Sequence, residues 1–194
     1  MFKDLSIIEY DEILASDNPV PGGGSALAII GGHACALVEM ACSVSLKKYG
    51  IGYDYKEILE SNRKTLNMCR KHLQKLADDD SNAFNDILSA MKLPKDTVEQ
   101  QEKRKKELQK HYHKSALVPI EVMQCCKVAI DCAEKCAPYT YKYVDSDRII
   151  GINLLIAVMK NSIENVVANT SLITDIQLKT QLETQARKLV DELK

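Results

Sequence analysis

The sequence predicts an all-α protein: a single domain of about five to seven helices, packed as a bundle of long helices. Three observations carry this. Apolar residues recur at steps of three and four along most of the chain, and no segment alternates convincingly with period two. Helix-opening boxes recur at Ser6/Glu9, Asp54/Glu57 and Thr97/Gln100. Breakers are sparse, with eight Gly and five Pro in 194 residues, few for a β-sandwich or a loop-rich scaffold. That length predicts one domain, residues 1–194, with enough chain to bury roughly 70% of its unfolded surface.

The elements follow in order. Ser6 to about Ala15 is a short capped helix. Asp17 to Gly24, DNPVPGGG, is the strongest breaker in the chain. A long helix then runs from about Ser25 to Tyr49. Its stripe reads Leu27, Ile30, Ala34, Leu37, Ala41 and Val44, but its other faces are apolar too. Such a helix is central or lies in an oligomer interface. The run Ala26 to Leu46 is long enough to span a membrane, yet His33 and Glu39 inside it are costly at a bilayer centre. It is therefore read as a core helix. Asp54 opens a third helix that ends at Leu93-Pro94. Thr97 opens a fourth that continues to Cys136, and Pro119 should kink it or divide it in two. Asp145 or Ser146 caps a fifth helix, to about Asn169. Asp175 begins an amphipathic terminal helix to Leu193.

Composition excludes several classes. The net charge is −1, so no whole-chain field draws in nucleic acid or an anionic membrane. There is no Trp and only two Phe, which argues against a base-stacking platform. The stretch Lys92 to Lys114 carries eight basic and four acidic residues and reads as a solvated helix face. Met1 to Tyr10 lacks the basic start of a signal peptide. The seven Cys include no C-x-x-C pair and read as reduced thiols of a cytoplasmic protein. Their spacing, with four scattered His, does not form a metal set.

Few residues stand out as chemistry. Pro19-Val-Pro-Gly-Gly-Gly-Ser25 runs directly into a helix, whose free N–H groups can hold an anion or a carbonyl oxygen. A tight turn between helices explains the same residues. Asp80 occupies a position that periodicity assigns to the apolar stripe, seven residues from both Leu73 and Ile87. Asp78 lies about 200° away around the helix. A carboxylate on a buried face is either paired or protonated, and either state can serve catalysis. Asp147 lies in the first turn of the fifth helix, where it also complements the helix dipole. His33 is a polar residue in an apolar helix, read either as a core or interface histidine or as a catalyst. Lys47 and Lys48 suit the C-terminal dipole of their helix.

Taken in order, these residues resemble the cyclodeaminase/cyclohydrolase family. That family includes the C-terminal domain of formiminotransferase-cyclodeaminase and free-standing bacterial methenyltetrahydrofolate cyclohydrolases. The resemblance rests on Pro19 to Ser25, Lys47-Lys48-Tyr49 and Leu76-Ala-Asp-Asp-Asp-Ser-Asn-Ala-Phe84. It continues through Leu93-Pro94-Lys95, Val118-Pro119-Ile120-Glu121, Ser146-Asp147 and Asn165-Val166-x-x-Asn169, from about residue 5 to 190. The resemblance implies a homodimer of long helices with a folate site near the subunit interface. It implies a tetrahydrofolate derivative as substrate and no metal. The reaction would be hydrolysis of 5,10-methenyltetrahydrofolate to 10-formyltetrahydrofolate, or cyclisation of formiminotetrahydrofolate with release of ammonia. The chain standing without a formiminotransferase domain favours hydrolysis. A non-catalytic helical module that binds folate or a protein is the alternative. By the same resemblance, Asp80 is the base or cation stabiliser, with Asp147 and His33 as further catalytic candidates. Pro21, Gly22, Gly23, Gly24 and Ser25 would hold the pterin or a reacting oxygen, and Lys48 the glutamate tail. Three features depart from the family: His33 stands at a usually apolar position, Ile149 replaces a small residue, and Tyr139 to Asp145 is rich in Tyr.

Overall fold

The computed structural model describes residues 1–49 and 55–193. Among the described residues it contains six α-helices, two one-turn 3-10 helices and no strand. The helices are α1 (Ile7–Leu14), α2 (Gly23–Tyr49), α3 (Lys56–Met91), α4 (Val98–Cys136), α5 (Asp145–Thr170) and α6 (Ile176–Asp191). Helix α2 packs between α3 and α5. Helix α4 closes the other side against the same two helices, and α6 packs on α4 and α5.

Most of the predicted starts form as read. Ser6 and Glu9 make a reciprocal capping box on α1, and Thr97 and Gln100 make another on α4. The Asp175 carboxylate caps α6 through the Leu178 amide at 3.0 Å. Each such cap stabilises its helix by about 0.5–2 kcal/mol. The predicted cap Asp54 lies outside the described residues. Helix α5 differs from its prediction, because Asp145 is its first helical residue and no side chain caps it. The Asp145 carboxylate instead accepts from Arg148 Nε at 2.7 Å.

Three further corrections have clear physical reasons. Helix α2 begins at Gly23 rather than Ser25. Glycine costs about 1 kcal/mol relative to alanine in a helix, but at Gly24 the Asp80 carboxylate occupies the space a β-carbon would need. The buried face of α2 includes Ala28, Gly31, Ala34, Cys35, Val38, Ala41 and Cys42; of the predicted stripe only Ala34 and Ala41 are fully buried, Leu27, Leu37 and Val44 are partly buried, and Ile30 is exposed. A helix apolar on all sides has no periodicity to choose its core face.

Helix α4 does not end at Pro119. Pro119 has no N–H for the carbonyl four residues earlier, which belongs to Ser115. Asn169 Nδ2 of α5 donates to that carbonyl at 3.0 Å. The side-chain amide thus replaces the missing backbone donor, and the helix continues to Cys136.

The seven cysteines are buried and unbridged, spread over α2, α3 and α4. The tyrosines of the 139–145 stretch pack among themselves and with the ends of α2 and α3. Tyr139 stacks on Tyr55 with ring centres 4.0 Å apart, and Tyr141 meets Tyr49 and Tyr143 edge-on. Ile149 is exposed.

Candidate active site

The Pro/Gly segment delivers the chain to the N-terminus of α2. The Val20–Pro21 peptide bond is cis, and Pro21 is buried. The Ala26 amide bonds the Gly22 carbonyl at 3.0 Å, the first hydrogen bond of the helix. The amides of Gly23, Gly24 and Ser25 precede that bond and have no partner within the helix.

Asp80 of α3 meets this end of α2. Its carboxylate lies against the Gly24–Ser25 backbone, where the Ser25 N–H favours the ionised form. An added β-carbon on Gly24 would stand 2.7 Å from Asp80 Cγ and 2.9 Å from Oδ2. Only glycine lets the two helices approach this closely. Burial pushes the Asp80 carboxyl above its ordinary range, and the Ser25 amide offsets part of that rise. Asp80 is thus an ionisable group held at the positive end of a helix, where a developing charge can be stabilised.

Three other side chains complete this corner. Ser25 is fully buried, and the Tyr10 hydroxyl donates to its Oγ at 3.3 Å. Tyr10 is itself buried on α1, with Phe2 edge-on to its ring at 5.6 Å. Across from Asp80, Asn165 Oδ1 of α5 lies 3.8 Å from the β-carbon position of Gly23. A cavity of about 370 Å³ opens beside Tyr10, lined by Phe2, Leu5, Ala26, Ile29 and His33 among others.

Periodicity chose between two neighbouring carboxylates, and burial alone reverses the choice. Asp78 is the more enclosed, at 9% exposure. Its Oδ1 accepts the Phe2 amide at 2.7 Å and ties the N-terminal turn to α3. Asp80 is the one that faces the glycine turn.

The remaining predicted residues lie elsewhere in the chain. His33 is exposed, lines the apolar cavity, and stands roughly 13 Å along α2 from Gly24 at helical rise. Lys48 is roughly 36 Å along the same axis, with its Nζ 5.4 Å from the centre of the Tyr141 ring. Asp147 is half-buried in the first turn of α5. Helix α5 runs antiparallel to α2, since Asn165 lies by Gly23 and Gly151 by Ala34 and Val38. Asp147 therefore belongs to the Lys48 end. One chain brings Gly22 to Ser25 and Asp80 together but does not add His33, Lys48 or Asp147 to them. No group of three or more His, Cys, Asp or Glu among the described residues is arranged to hold a metal.

Tyr10 and Asn165 were not among the predicted site residues. Tyr10 had no local signal, since its role depends on a partner fifteen positions away. Asn165 had one, its place in the Asn165-Val166-x-x-Asn169 motif.

Comparison with known proteins gives these residues a context. The formiminotransferase-cyclodeaminase family model matches residues 6–188. A methenyltetrahydrofolate cyclohydrolase of Methylorubrum extorquens is 33% identical over 165 residues, which cover 84% of this chain and 77% of that protein. A formimidoyltransferase-cyclodeaminase of Gallus gallus is 29% identical over 90% of this chain, which spans only 32% of that longer protein. The crystal structure of a formiminotetrahydrofolate cyclodeaminase from Thermotoga maritima superposes with a TM-score of 0.82 at 25% identity, covering 100% of this chain and 99% of that one. The chain is a member of the formiminotransferase-cyclodeaminase family.

Proposed function

We propose that this protein hydrolyses 5,10-methenyltetrahydrofolate to 10-formyltetrahydrofolate. The observation that carries the reading is Asp80, a half-buried carboxylate set against the Gly24–Ser25 backbone at the first turn of α2. The relation to the Methylorubrum cyclohydrolase, over most of both chains, supports this reaction over its alternative.

The chemistry follows from the charges. The methenyl carbon is cationic, shared between N5 and N10. An ionised Asp80 stabilises that cation and accepts a proton from the attacking water. The product of attack is a tetrahedral carbon bearing a hydroxyl. As the hydroxyl becomes a carbonyl, its proton passes to N5 and the C–N5 bond breaks. The formyl group stays on N10, and one proton is released overall. The free amides of Gly23 and Gly24 and the Asn165 side chain are suited to hold the reacting oxygen. Asn165→Ala should lower kcat more than it raises KM.

Cyclisation of formiminotetrahydrofolate is the second reading, favoured by the match to the Thermotoga cyclodeaminase along its whole length. There N10 attacks the formimino carbon, and ammonia leaves from the same kind of tetrahedral centre. The test is loss of the methenyl chromophore near neutral pH, with the formimino substrate assayed in parallel. Acceleration of neither reaction would remove both readings.

The reading includes a homodimer. In α2 and α5, 44% and 33% of the most apolar stretch is buried within the chain, which leaves Ile30, Met40, Ile149 and Ile150 exposed. A second copy set antiparallel along α2 would cover part of this surface. It would also carry Lys48 and Asp147 of one protomer toward Asp80 of its partner.

A further inference from the structure

We propose that Tyr10 is a positioning residue for Asp80, acting through Ser25. This rests on Asp80 being the reacting carboxylate of the proposed folate chemistry, and it adds a residue that chemistry does not itself require.

Tyr10 is a buried phenol 8% exposed, and its hydroxyl reaches Ser25 Oγ at 3.3 Å. Ser25 is fully buried and carries two interactions at once. Its side chain takes the Tyr10 hydroxyl, and its backbone N–H, next to the Gly24 position that Asp80 crowds, favours the ionised Asp80 carboxylate. The first turn of a helix lacks internal hydrogen bonds to hold it, and here it contains Gly23 and Gly24 and follows Gly22. A hydroxyl clamp on Ser25 therefore fixes the amide on which the Asp80 carboxylate depends. Tyr10 is fixed in turn by α1, whose start is held by the Ser6/Glu9 capping box. The link joins three separate elements: α1, the start of α2, and the middle of α3.

The groups around the carboxylate favour control through this one link. Tyr10 faces it from α1, and Asp11 stands near Tyr10 on the same helix. Helix α2 presents the Gly24–Ser25 backbone, and α5 presents the neutral Asn165 at the same turn. On α3 itself, Asp79 is paired with Lys75 at 2.7 Å and Asp78 with the Phe2 amide. The Ser25 amide is the interaction that holds the Asp80 carboxyl down against its burial. Slackening it raises the pH at which Asp80 ionises.

The test uses Tyr10→Phe, Ser25→Ala, the double variant, and Phe2→Leu as a packing control. Asp80 titration is read directly by carbon-13 NMR of labelled aspartate, its signal assigned by its loss in Asp80→Asn. The same variants are assayed for methenyl hydrolysis across pH. Tyr10→Phe should move the Asp80 midpoint, and the acidic limb of kcat, to higher pH. Its kcat should fall roughly tenfold with KM little changed. Ser25→Ala should give the same shift, and the double variant no further one. Phe2→Leu should lower Tm and leave the midpoint in place. The proposal is overturned if Tyr10→Phe behaves like Phe2→Leu, or if the double variant shifts the midpoint by the sum of the two. A midpoint that moves in a protein with no turnover of either folate upholds the Tyr10 link and removes the proposed function instead.

Discussion

The carboxyl carbon of Asp80 lies 2.7 Å from where a β-carbon on Gly24 would stand. The third glycine of the turn is therefore a spacing requirement set by α3. Gly24→Ala should push the Asp80 carboxylate off the Ser25 amide. We expect kcat to fall by on the order of a hundredfold, with about 1–3 kcal/mol lost from overpacking. Gly22 has no atom within 4 Å of its β-carbon position, so Gly22→Ala should keep near-normal stability. Steady-state kinetics beside thermal melts separate the two, and equal effects would sink the spacing requirement.

Asp80→Asn should abolish turnover without unfolding the protein. Burial holds the folded-state pKa of Asp80 above its unfolded value. The folded chain therefore binds this proton more tightly than the unfolded chain does. The resulting stability is fully present below the unfolded carboxylate pKa of about 3.9. It is lost as pH rises through the folded value. At pH 7.5 the ionised carboxylate is a burden that the neutral amide removes. Asp80→Asn should then melt at or above the wild-type temperature at pH 7.5, and its relative advantage should shrink at pH 4. A clearly lower Tm at pH 7.5 would make Asp80 a structural residue.

Asn169→Ala tests how α4 passes through Pro119. The variant leaves the Ser115 carbonyl, in a residue 5% exposed, without its 3.0 Å donor. A loss of about 1–3 kcal/mol is expected, with Tm falling by about 2–4 °C for each kcal/mol. Pro119→Ala restores a backbone N–H for the same carbonyl. Adding it to Asn169→Ala should recover part of the loss, and purely additive melts would refute the exchange of donors.

The proposed antiparallel dimer predicts complementation. Asp80→Asn and Asp147→Asn should each be inactive alone. Mixed and allowed to exchange subunits, half the dimers would carry one substitution on each protomer, with one intact composite site of two. Recovery of about a quarter of wild-type turnover is then expected. Met40→Lys should shift the protein to monomer in sedimentation and abolish the recovery. Inactive mixtures of confirmed mixed dimers would show that Asp147 does not join the partner's site.

Much of the fold is legible in single residues. Ser6, Thr97 and Asp175 open helices because their partners lie three positions on, within reach of any local reading. Whether Pro119 divides its helix is not legible locally, for the opposite reason. The group that rescues its helix, Asn169, is on another element and exists for Ser115 only after packing. The core face of α2 is only partly legible, because an apolar helix carries no mark of which side its neighbours cover.

The candidate site divides along the same line. Asp80 and Gly22 to Ser25 stand out in the sequence, one as a charge on an apolar stripe, the other as three glycines before a helix. The sequence by itself determined the helical class, the order of elements and this pair of features, since each rests on near-neighbour spacing. Only the tertiary structure decided that α3 brings Asp80 onto the Ser25 amide, that Asp78 turns away to the Phe2 amide, and that Tyr10 and Asn165 flank the same turn. It also separated Lys48 and Asp147 from Asp80 by the length of a helix. The reason is geometric: spacing along a chain specifies a helix face, but which faces meet is set by packing between helices distant in sequence.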